Sequence, residues 1–415
     1  MFFEIKKFFQ KNKYIFLRRD KKIDNKNKII IFILRIPLYV PALFSFIIIQ
    51  LLYLLFKIKI RVGVLRADKF GHLSLETELY FCEKIKKDNK YNFDIFFNDG
   101  YISNKYLFNL IKLKINYLPN LFLRELYVLC TFYNNKKFIA NRRFGAEDYE
   151  NLLDQTPQQI NISKDIIDES FQVLEKVGFK KKQKIVCIHI RDDLYSGDNS
   201  FNRHRNISSM NNYNKTILYL IKKKYFVVRV GKLHKKKFNI KSENFLDYPF
   251  FKFNSEQLDM FLAAKCDFCI STGSGFDALA RMFRKPVLYT NFSSYGDTAF
   301  GKKHMIIYKK FMNKKKKKLS ITDLHYENFF QIDNSSEILD KKLFFIENSD
   351  IEILNATKDF INYKKNKKKF NKKYELFDKK FKSFYMKNYK KKFNINKLKS
   401  VNIAKLCPSF LNKMV

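Results

Sequence analysis

The sequence is poor in cysteine, lacks tryptophan and has far fewer acidic than basic residues. Its six cysteines are scattered through 415 residues, which excludes a disulfide framework and favours a reducing compartment. Cys266 and Cys269 form a Cys-x-x-Cys pair, but no second pair lies at zinc spacing. We therefore interpret both as small buried hydrophobes in a strand and not as metal ligands.

The shortage of acidic residues leaves a large positive charge: 82 Lys and Arg against 40 Asp and Glu give 82 − 40 = +42. A charge of this size implies a polyanionic neighbour, either nucleic acid or an anionic membrane surface. Lys, Asn, Ile and Phe are enriched together, so part of the charge reflects compositional bias. The hydrophobic fraction of 46% excludes wholesale disorder, and the length favours two domains plus additional segments.

Several catalytic motifs are missing as well. The chain has no Gly-x-Ser-x-Gly, no His-Glu-x-x-His and no Gly-x-Gly-x-x-Gly. No Asp-x-Asp closes a strand, since Asp350-x-Glu352 lies in a late polar stretch. These absences favour a site that works without a metal ion or a bound cofactor.

An apolar segment covers residues 29–56, and no charge occurs between Ile36 and Phe56. Such a stretch is long enough to cross a hydrocarbon core of roughly 30 Å. The long basic leader and the lack of a small-residue cleavage site argue against a signal peptide. Lysines on both sides leave the orientation open, and Pro37 and Pro41 would kink a helix near its start. A single span and a segment that dips into one leaflet both stay open, with a buried core helix as the alternative.

The next part of the chain alternates between strand and helix patterns. Apolar runs at 60–65 and 93–97 predict buried strands, and helices are predicted at 73–87 and 103–113. This spacing favours a parallel sheet with right-handed crossovers. The 116–159 stretch is mixed.

A second alternating series begins near residue 181. It predicts strands at 184–190, 225–230, 267–270 and 286–290, with helices between them. We therefore expect an α/β protein of two Rossmann-like domains facing a cleft, with ligands at the carboxyl ends of the strands. The predicted divisions are a basic leader and membrane-associating segment at 1–57, domains at 58–180 and 181–345, and a helical, Lys-rich extension at 346–415. Its lysine-dense part, 363–399, is either a basic amphipathic helix or a partly disordered arm.

The strongest local feature lies at the end of the strand at 184–190. His189 and Arg191 are two residues apart and therefore share a face of the strand. An arginine there can bind a phosphate or diphosphate through parallel charge-assisted hydrogen bonds. Arg205 follows a Gly- and Ser-rich stretch at 196–200 and is a further candidate. A surface ion pair and a solvated basic loop are the alternatives.

A second feature is a short polar loop between a strand and a helix. Its glycines permit close backbone approach, and the helix start offers N–H groups and a positive dipole end. No Gly-Lys-Ser/Thr follows, so it is not a Walker A loop, and a tight turn is the alternative. The loop consists of Ser271, Thr272, Gly273, Ser274 and Gly275.

A third feature is the first strand–helix turn of the N-terminal domain. Asp68, His72 and Glu76 are candidate proton acceptors there. The residue pattern does not choose among them, and helix capping by Asp68 is the alternative.

Several motifs in a fixed order carry a family resemblance. The chain resembles a bacterial family of glycosyltransferases over roughly residues 60–363. Its His-x-Arg strand end is also distantly similar to that of O-fucosyltransferase-type enzymes, which have a two-Rossmann (GT-B) arrangement. The motifs are Val64-Leu65-Arg66 with Gly71-His72-Leu73, His189-Ile190-Arg191-Asp192 with Arg205-Asn206-Ile207, Val228-Arg229-Val230-Gly231, Asp267 through Gly275, and Lys285-Pro286-Val287-Leu288-Tyr289-Thr290-Asn291.

This resemblance implies a metal-independent, inverting glycosyltransferase that uses a nucleotide-sugar donor and no cofactor. Arg191 would hold the donor β-phosphate and stabilise its departure, and a base from the first domain would deprotonate the acceptor. The acceptor would be a glycan or lipid-linked saccharide, and the enzyme would work on the anionic, cytoplasmic face of the bacterial inner membrane. The remaining donor-binding candidates are His189, Arg205, Arg229, Gly231, Ser271, Thr272, Gly273, Ser274 and Gly275.

Two alternatives stay open. With its charge and the lysine run at 314–318, the chain could bind nucleic acid without catalysis; against this, it has no nucleic-acid motif and the apolar segment would be unexplained. The same fold could also transfer another group, such as sulfate, from a phosphorylated nucleotide.

Overall fold

The computed structural model shows a mixed α/β protein whose chain divides into two compact units, Met1–Ala146 and Glu147–Val415. The structure describes residues 34–411 with internal gaps. The gaps are 87–91, 99, 134–135, 141–146, 193–203, 233, 235, 294–299, 316, 320–322, 324–334, 367–371 and 394–400.

Unit 1 contains a small parallel sheet in the order β1-β2-β3. In the sheet Val62 pairs with Ile95, and Ile95 pairs with Asn116. Helix α4 packs on α1 and β1. The elements are α1 (Tyr39–Phe56, after a 3-10 turn Ile36–Leu38), β1 (Lys59–Leu65), α2 (Phe70–Lys86), β2 (Asn92–Asn98), α3 (Lys105–Lys112), β3 (Asn116–Tyr117) and α4 (Leu123–Phe132).

The apolar segment of unit 1 forms one continuous helix over Ile36–Phe56, long and apolar enough by length and composition to cross a membrane. Pro37 and Pro41 lie in its first turns, where the missing N–H groups cost no helical hydrogen bond. The helix ends at Lys57, whose backbone is left-handed with φ 57°. No break therefore interrupts residues 36–56; the basic leader itself lies outside the described residues.

Unit 2 contains a seven-stranded sheet in the order β12-β9-β8-β7-β4-β5-β6, all of whose pairings are parallel. The strands β4, β5, β7, β8 and β9 are buried along their whole length, which explains why they read as continuous apolar runs. The strands are β4 (Ile185–His189), β5 (Phe226–Val230), β6 (Phe245–Asp247), β7 (Phe268–Ser271), β8 (Val287–Phe292), β9 (Met305–Tyr308) and β12 (Lys405–Leu406), and β10 (Lys310–Met312) pairs with β11 (Phe344–Ile346) outside the sheet.

Helices connect and cover this sheet. Ser163 precedes α6, but its side chain makes no capping hydrogen bond. Ser255 does cap α8, since its hydroxyl accepts the Leu258 N–H at 3.1 Å. The helices are α5 (Leu152–Gln155), α6 (Lys164–Glu175), α7 (Asn214–Lys222), α8 (Glu256–Lys265), α9 (Gly275–Met282), α10 (Ser335–Asp340), α11 (Asp350–Asn366), α12 (Lys372–Phe393) and α13 (Pro408–Leu411).

The expected α/β class with parallel sheets is confirmed, and all six cysteines are free and buried. The compact units meet at 146/147, so the 147–180 stretch, predicted to end the first domain, packs in unit 2, where α6 contacts α8. The C-terminal region also belongs to this unit: α11 buries Phe360, α12 buries Tyr385, and β12 extends the sheet beside β9. The predicted cleft and the roles given to the two domains stay predictions.

Candidate functional site

The predicted donor residues of unit 2 lie at the carboxyl edge of its sheet. His189 ends β4, Gly231 follows β5, and Ser271 ends β7. The strands β5 and β7 are the two neighbours of β4. The parallel topology thus brings three segments that are far apart in sequence to one place, where open α/β sheets bind ligands.

Arg191 is held at this edge by three hydrogen bonds. Its backbone N–H donates to Thr272 Oγ1 at 3.1 Å, and its carbonyl accepts the Ile207 N–H at 2.9 Å. Its Nε donates to Asn206 Oδ1 at 2.9 Å. Arg205 next to it reaches the Gly273 carbonyl through Nη2 at 3.4 Å. The Arg205 guanidinium and the Arg191 backbone therefore contact the loop that the sequence predicts as a diphosphate cradle.

Lys309 fixes the segment that carries Arg205 and Asn206. Its buried Nζ donates to the His204 carbonyl at 3.2 Å and to the Asn206 carbonyl. Burial lowers the pKa of Lys309 to about 8, although Glu347, 3.8 Å away, acts in the opposite direction. No local sequence pattern distinguishes Lys309 from the other lysines, so it is not among the predicted site residues.

The Asp277 carboxylate accepts hydrogen bonds from the polar loop before α9. The Ser271 hydroxyl donates to Asp277 Oδ1 at 2.7 Å, and the Ser274 N–H donates to the same oxygen. The Gly273 N–H donates to Ser271 Oγ at 3.1 Å. Ser274 and Asp277 form a capping box, a motif whose Ser-x-x-Asp spacing is visible in the sequence.

For Ser271 and Ser274 this geometry matches the tight-turn alternative. Their polar groups serve the loop itself, and the donor contacts expected of the loop and of the positive end of α9 stay predictions. Gly273 has φ +86°, a conformation that favours glycine.

A histidine pair lies beside Arg191. His234 Nδ1 is 3.2 Å from Asp192 Oδ2, and the rings of His189 and His234 are 6.4 Å apart. His189 Nδ1 and His234 Nε2 are buried and lack a hydrogen-bond partner among the described residues. Burial, followed by the charges of His234, Arg191 and Arg229, lowers the pKa of His189 to about 3. His189 is thus neutral at physiological pH.

Gly231 makes room for this pair. Its φ is +131°, and a Cβ at this position would lie 2.6 Å from His234 Nε2. Any side chain here would displace the imidazole. Gly231 and His189 are among the donor-binding residues predicted from the sequence, whereas His234 and its partner Asp192 are not.

Arg229 differs from the sequence expectation. Its Nε is 2.6 Å from Asp247 Oδ1, and both side chains are almost fully buried. Both terminal nitrogens donate to the Lys236 carbonyl at 3.0 Å, and the guanidinium lies over the Phe238 and Phe250 rings. These contacts neutralise its charge inside the fold and join β5 to β6, and its expected role at the donor stays a prediction.

In unit 1 the predicted base candidates lie at the start of α2. His72 Nδ1 is 2.6 Å from Glu76 Oε1, and Arg66 Nη1 is 3.3 Å from the same oxygen. Glu76 is buried and His72 is partly exposed. Glu76 therefore orients the His72 ring through Nδ1 and does not occupy Nε2, as in a His–carboxylate dyad. Asp68 lies in the turn before α2.

One part of the predicted site, the 196–200 stretch, lies outside the described residues. Within the described part of the chain no group of three or more His, Cys, Asp or Glu side chains is arranged to hold a metal ion.

Three solved structures similar to the chain are described as glycosyltransferases, each at 12% identity. The glycosyltransferase family 9 protein of Veillonella parvula aligns with a TM-score of 0.38 over 60% of this chain and 85% of its own. The ADP-heptose LPS heptosyltransferase II of E. coli aligns with a TM-score of 0.31 over 60% and 90%. The iron-containing dodecameric glycosyltransferase TibC of enterotoxigenic E. coli aligns with 0.31 over 55% and 58%. No family model and no curated protein matches the chain. Likeness at this level does not decide the activity.

Proposed function

We propose that the protein is a metal-independent, inverting glycosyltransferase that takes a nucleotide sugar as donor. One observation supports this above all others: Arg191 and Arg205 lie against Thr272 and Gly273, at the carboxyl edge of a parallel sheet and beside the start of α9. Two arginines and a positive helix end suit a diphosphate, whose negative charge grows as the sugar leaves.

The reaction would be a single displacement. The acceptor hydroxyl oxygen forms a bond to the anomeric carbon of the sugar while the bond from that carbon to the diphosphate oxygen breaks. The electron pair of the broken bond stays on the nucleoside diphosphate. Arg191, oriented by Asn206, and Arg205 would stabilise this charge, and such preorganised electrostatics is usually the largest part of catalysis.

The acceptor proton would pass to His72 in unit 1. The Glu76 carboxylate next to Nδ1 keeps the proton of the neutral ring on that nitrogen, so that Nε2 is free to accept another. As the ring becomes an imidazolium, Glu76 stabilises its charge. Among the three candidates from the sequence we therefore favour His72 as the base, with Glu76 as its positioning residue.

The acceptor class is the part of the proposal that depends on location. A strongly basic chain with an apolar helix fits an enzyme that meets a lipid-linked or surface-glycan acceptor at an anionic membrane surface. The cytoplasmic face of the bacterial inner membrane would supply both the acceptor and the nucleotide sugar.

Nucleotide binding by calorimetry tests the donor site. The full chain would be titrated with UDP, GDP, CMP and ADP, with and without EDTA. Arg191→Ala is the test variant and Lys223→Ala, which removes an exposed charge from the same unit, is the control. We expect selective binding that survives EDTA, is lost in Arg191→Ala and persists in Lys223→Ala.

Two outcomes would overturn the proposal. If the folded protein bound none of the nucleotides, Arg191 and the 271–275 loop would not form a diphosphate site. If it bound a nucleotide but transferred sulfate and no sugar from a panel of donors, the enzyme would belong to another class of transferase.

A further inference from the structure

Helix α1 leaves a long apolar face uncovered among the described residues. Phe44 is 67% exposed, Leu51 48% and Leu55 67%, and no charged residue interrupts the face. We call it the exposed helix face. It consists of Val40, Leu43, Phe44, Ile47, Ile48, Leu51, Leu54 and Leu55.

The opposite side of the same helix is part of the core of unit 1. Ala42, Phe46 and Ile49 lie at helical spacing and are buried against residues of α4, which include Leu126 and Cys130. This stripe continues to Tyr53, whose ring makes an edge contact with Phe138 at 5.8 Å. The middle of the helix is therefore fastened to the unit along about three turns.

Both ends of the helix are fastened as well. At its start Arg35 forms two hydrogen bonds to Glu125 on α4, of 2.6 and 2.8 Å. At its end Lys57 turns the backbone, and β1 begins at Lys59. The helix consequently cannot leave the sheet without breaking an ion pair and part of the core.

This attachment argues against a transmembrane orientation. A helix that crossed the bilayer would carry α4 and the sheet to hydrocarbon depth, together with the Arg35–Glu125 pair. Arg61 and Asp94, which form a bidentate pair at 2.6 Å between β1 and β2, would follow. Charged side chains at the bilayer centre are costly, so this orientation is unfavourable.

Basic side chains lie at the C-terminal end of α1, around Tyr53 on the side that packs in unit 1. Lys57, Lys59 and Lys137 surround the Tyr53 ring, with their Nζ atoms 5.7, 5.7 and 4.3 Å from its centroid. In the sequence that precedes the helix, residues 1–28 hold ten basic and three acidic residues. Positive charge at the end of α1 and in the preceding sequence complements anionic lipid headgroups.

We propose that α1 lies in the plane of the membrane and inserts the exposed helix face into one leaflet of an anionic bilayer, with its lysines at the headgroups. The attachment is monotopic: the helix neither spans the bilayer nor re-enters it. This inference does not depend on which group the enzyme transfers.

Vesicle flotation tests whether lipid binds the exposed helix face. The full chain would be floated with phosphatidylcholine vesicles, with and without phosphatidylglycerol. The test variant Leu51→Ser/Leu55→Ser removes two exposed apolar side chains, and Leu218→Ser/Leu376→Ser is a matched control in unit 2. We expect binding that phosphatidylglycerol strengthens, that falls at least about tenfold in the test variant and that is unchanged in the control.

The orientation needs a second measurement. Single nitroxide labels at positions 44, 48, 51 and 55 report depth in the bilayer, and the native cysteines are buried. An in-plane helix gives a similar shallow depth, about 5–10 Å, at all four sites. Depth that increases steadily towards one end would show a spanning helix and overturn the proposal. Equal flotation of the two double variants, or labels protected in a dimer without lipid, would also overturn it, because another surface or a second copy would then be the partner.

Discussion

Arg191 Nε donates a hydrogen bond of 2.9 Å to Asn206 Oδ1, and both side chains are buried at the carboxyl edge of the sheet. Asn206 is fixed in turn by Lys309, which donates to its carbonyl oxygen. Arg191, which we expect to hold the diphosphate, is thus oriented by the Asn206 side chain, and Asn206 is positioned by Lys309.

Removing this amide should weaken diphosphate binding without unfolding the protein. We expect Asn206→Ala to raise the Kd for the preferred nucleoside diphosphate about tenfold, since a hydrogen bond to a charged group contributes about 1.5–3 kcal/mol. Calorimetry measures this change, and Asn211→Ala, at an exposed position, is the control. Equal affinities in the two variants would mean that Asn206 does not orient Arg191.

Lys309 should contribute to stability and to donor affinity together. Lys309→Met leaves the buried carbonyls of His204 and Asn206 without their donor, which costs about 1–3 kcal/mol. We expect a lower midpoint in chemical denaturation and weaker nucleotide binding. Lys315→Met, at an exposed position, should change neither, and a variant that lost stability but kept full affinity would separate Lys309 from the site.

Much of the fold is visible in local patterns, whereas the site's contacts are not. Strands β4, β5 and β7 lie within about one residue of the apolar runs that predict them. The capping box is also local, because Ser274 and Asp277 are three residues apart. By contrast, Lys309 reaches Asn206 across a sequence separation of 103 residues, and such contacts follow only from the sheet order.

Two features of the structure have no local signal in the sequence. In the Lys-rich extension at 346–415, α11 and α12 bury Phe360 and Tyr385 in unit 2, although lysines dominate the composition of this region. The donor role expected for Arg229 came from a motif along one strand. Its partner Asp247 lies on the neighbouring strand β6. No sequence pattern identifies Asp247 as this partner, because a strand of three residues is too short to show a periodic pattern.

The buried Arg229–Asp247 pair gives a prediction about stability. Arg229→Met should lower the free energy of unfolding by about 3–5 kcal/mol, because it leaves the Asp247 carboxylate buried without its counter-charge. Arg229→Met/Asp247→Leu should regain much of this loss, since it removes both charges. Denaturant titration measures both variants. If the double variant were as unstable as the single one, the pair would not be the source of the loss.

The His72–Glu76 dyad gives a prediction about turnover. We expect His72→Ala to lower kcat about 10²–10⁴-fold and Glu76→Gln to lower it less, since the ring stays in place but loses the carboxylate that orients it. Donor affinity should stay unchanged in both, because the residues that we propose to bind the donor belong to unit 2. Steady-state kinetics and calorimetry distinguish the two effects, with Glu83→Gln as a control on the same helix. An unchanged kcat in His72→Ala would mean that His72 is not the general base and that Asp68 or another group accepts the proton.

The low pKa of His189 gives a prediction about pH. In the folded protein burial, His234, Arg191 and Arg229 hold its pKa near about 3, whereas an unfolded histidine titrates near 6.5. Between these values the unfolded chain binds the additional proton, so His189 lowers the stability as the pH falls from 6.5 towards 3, by about 1.4 kcal/mol per unit. Burial raises the pKa of Asp259 to about 7, so protonation of Asp259 raises the stability as the pH falls towards its unfolded pKa, which opposes the effect of His189.

The effect of His189 must therefore be measured by comparing a variant with the parent protein at each pH. His189→Gln keeps a neutral polar side chain, and its stability relative to the parent should rise steadily from pH 6.5 to 4.5 in denaturant titrations. Parallel stability curves across that window would mean that His189 accepts a proton in the fold as readily as in the unfolded chain.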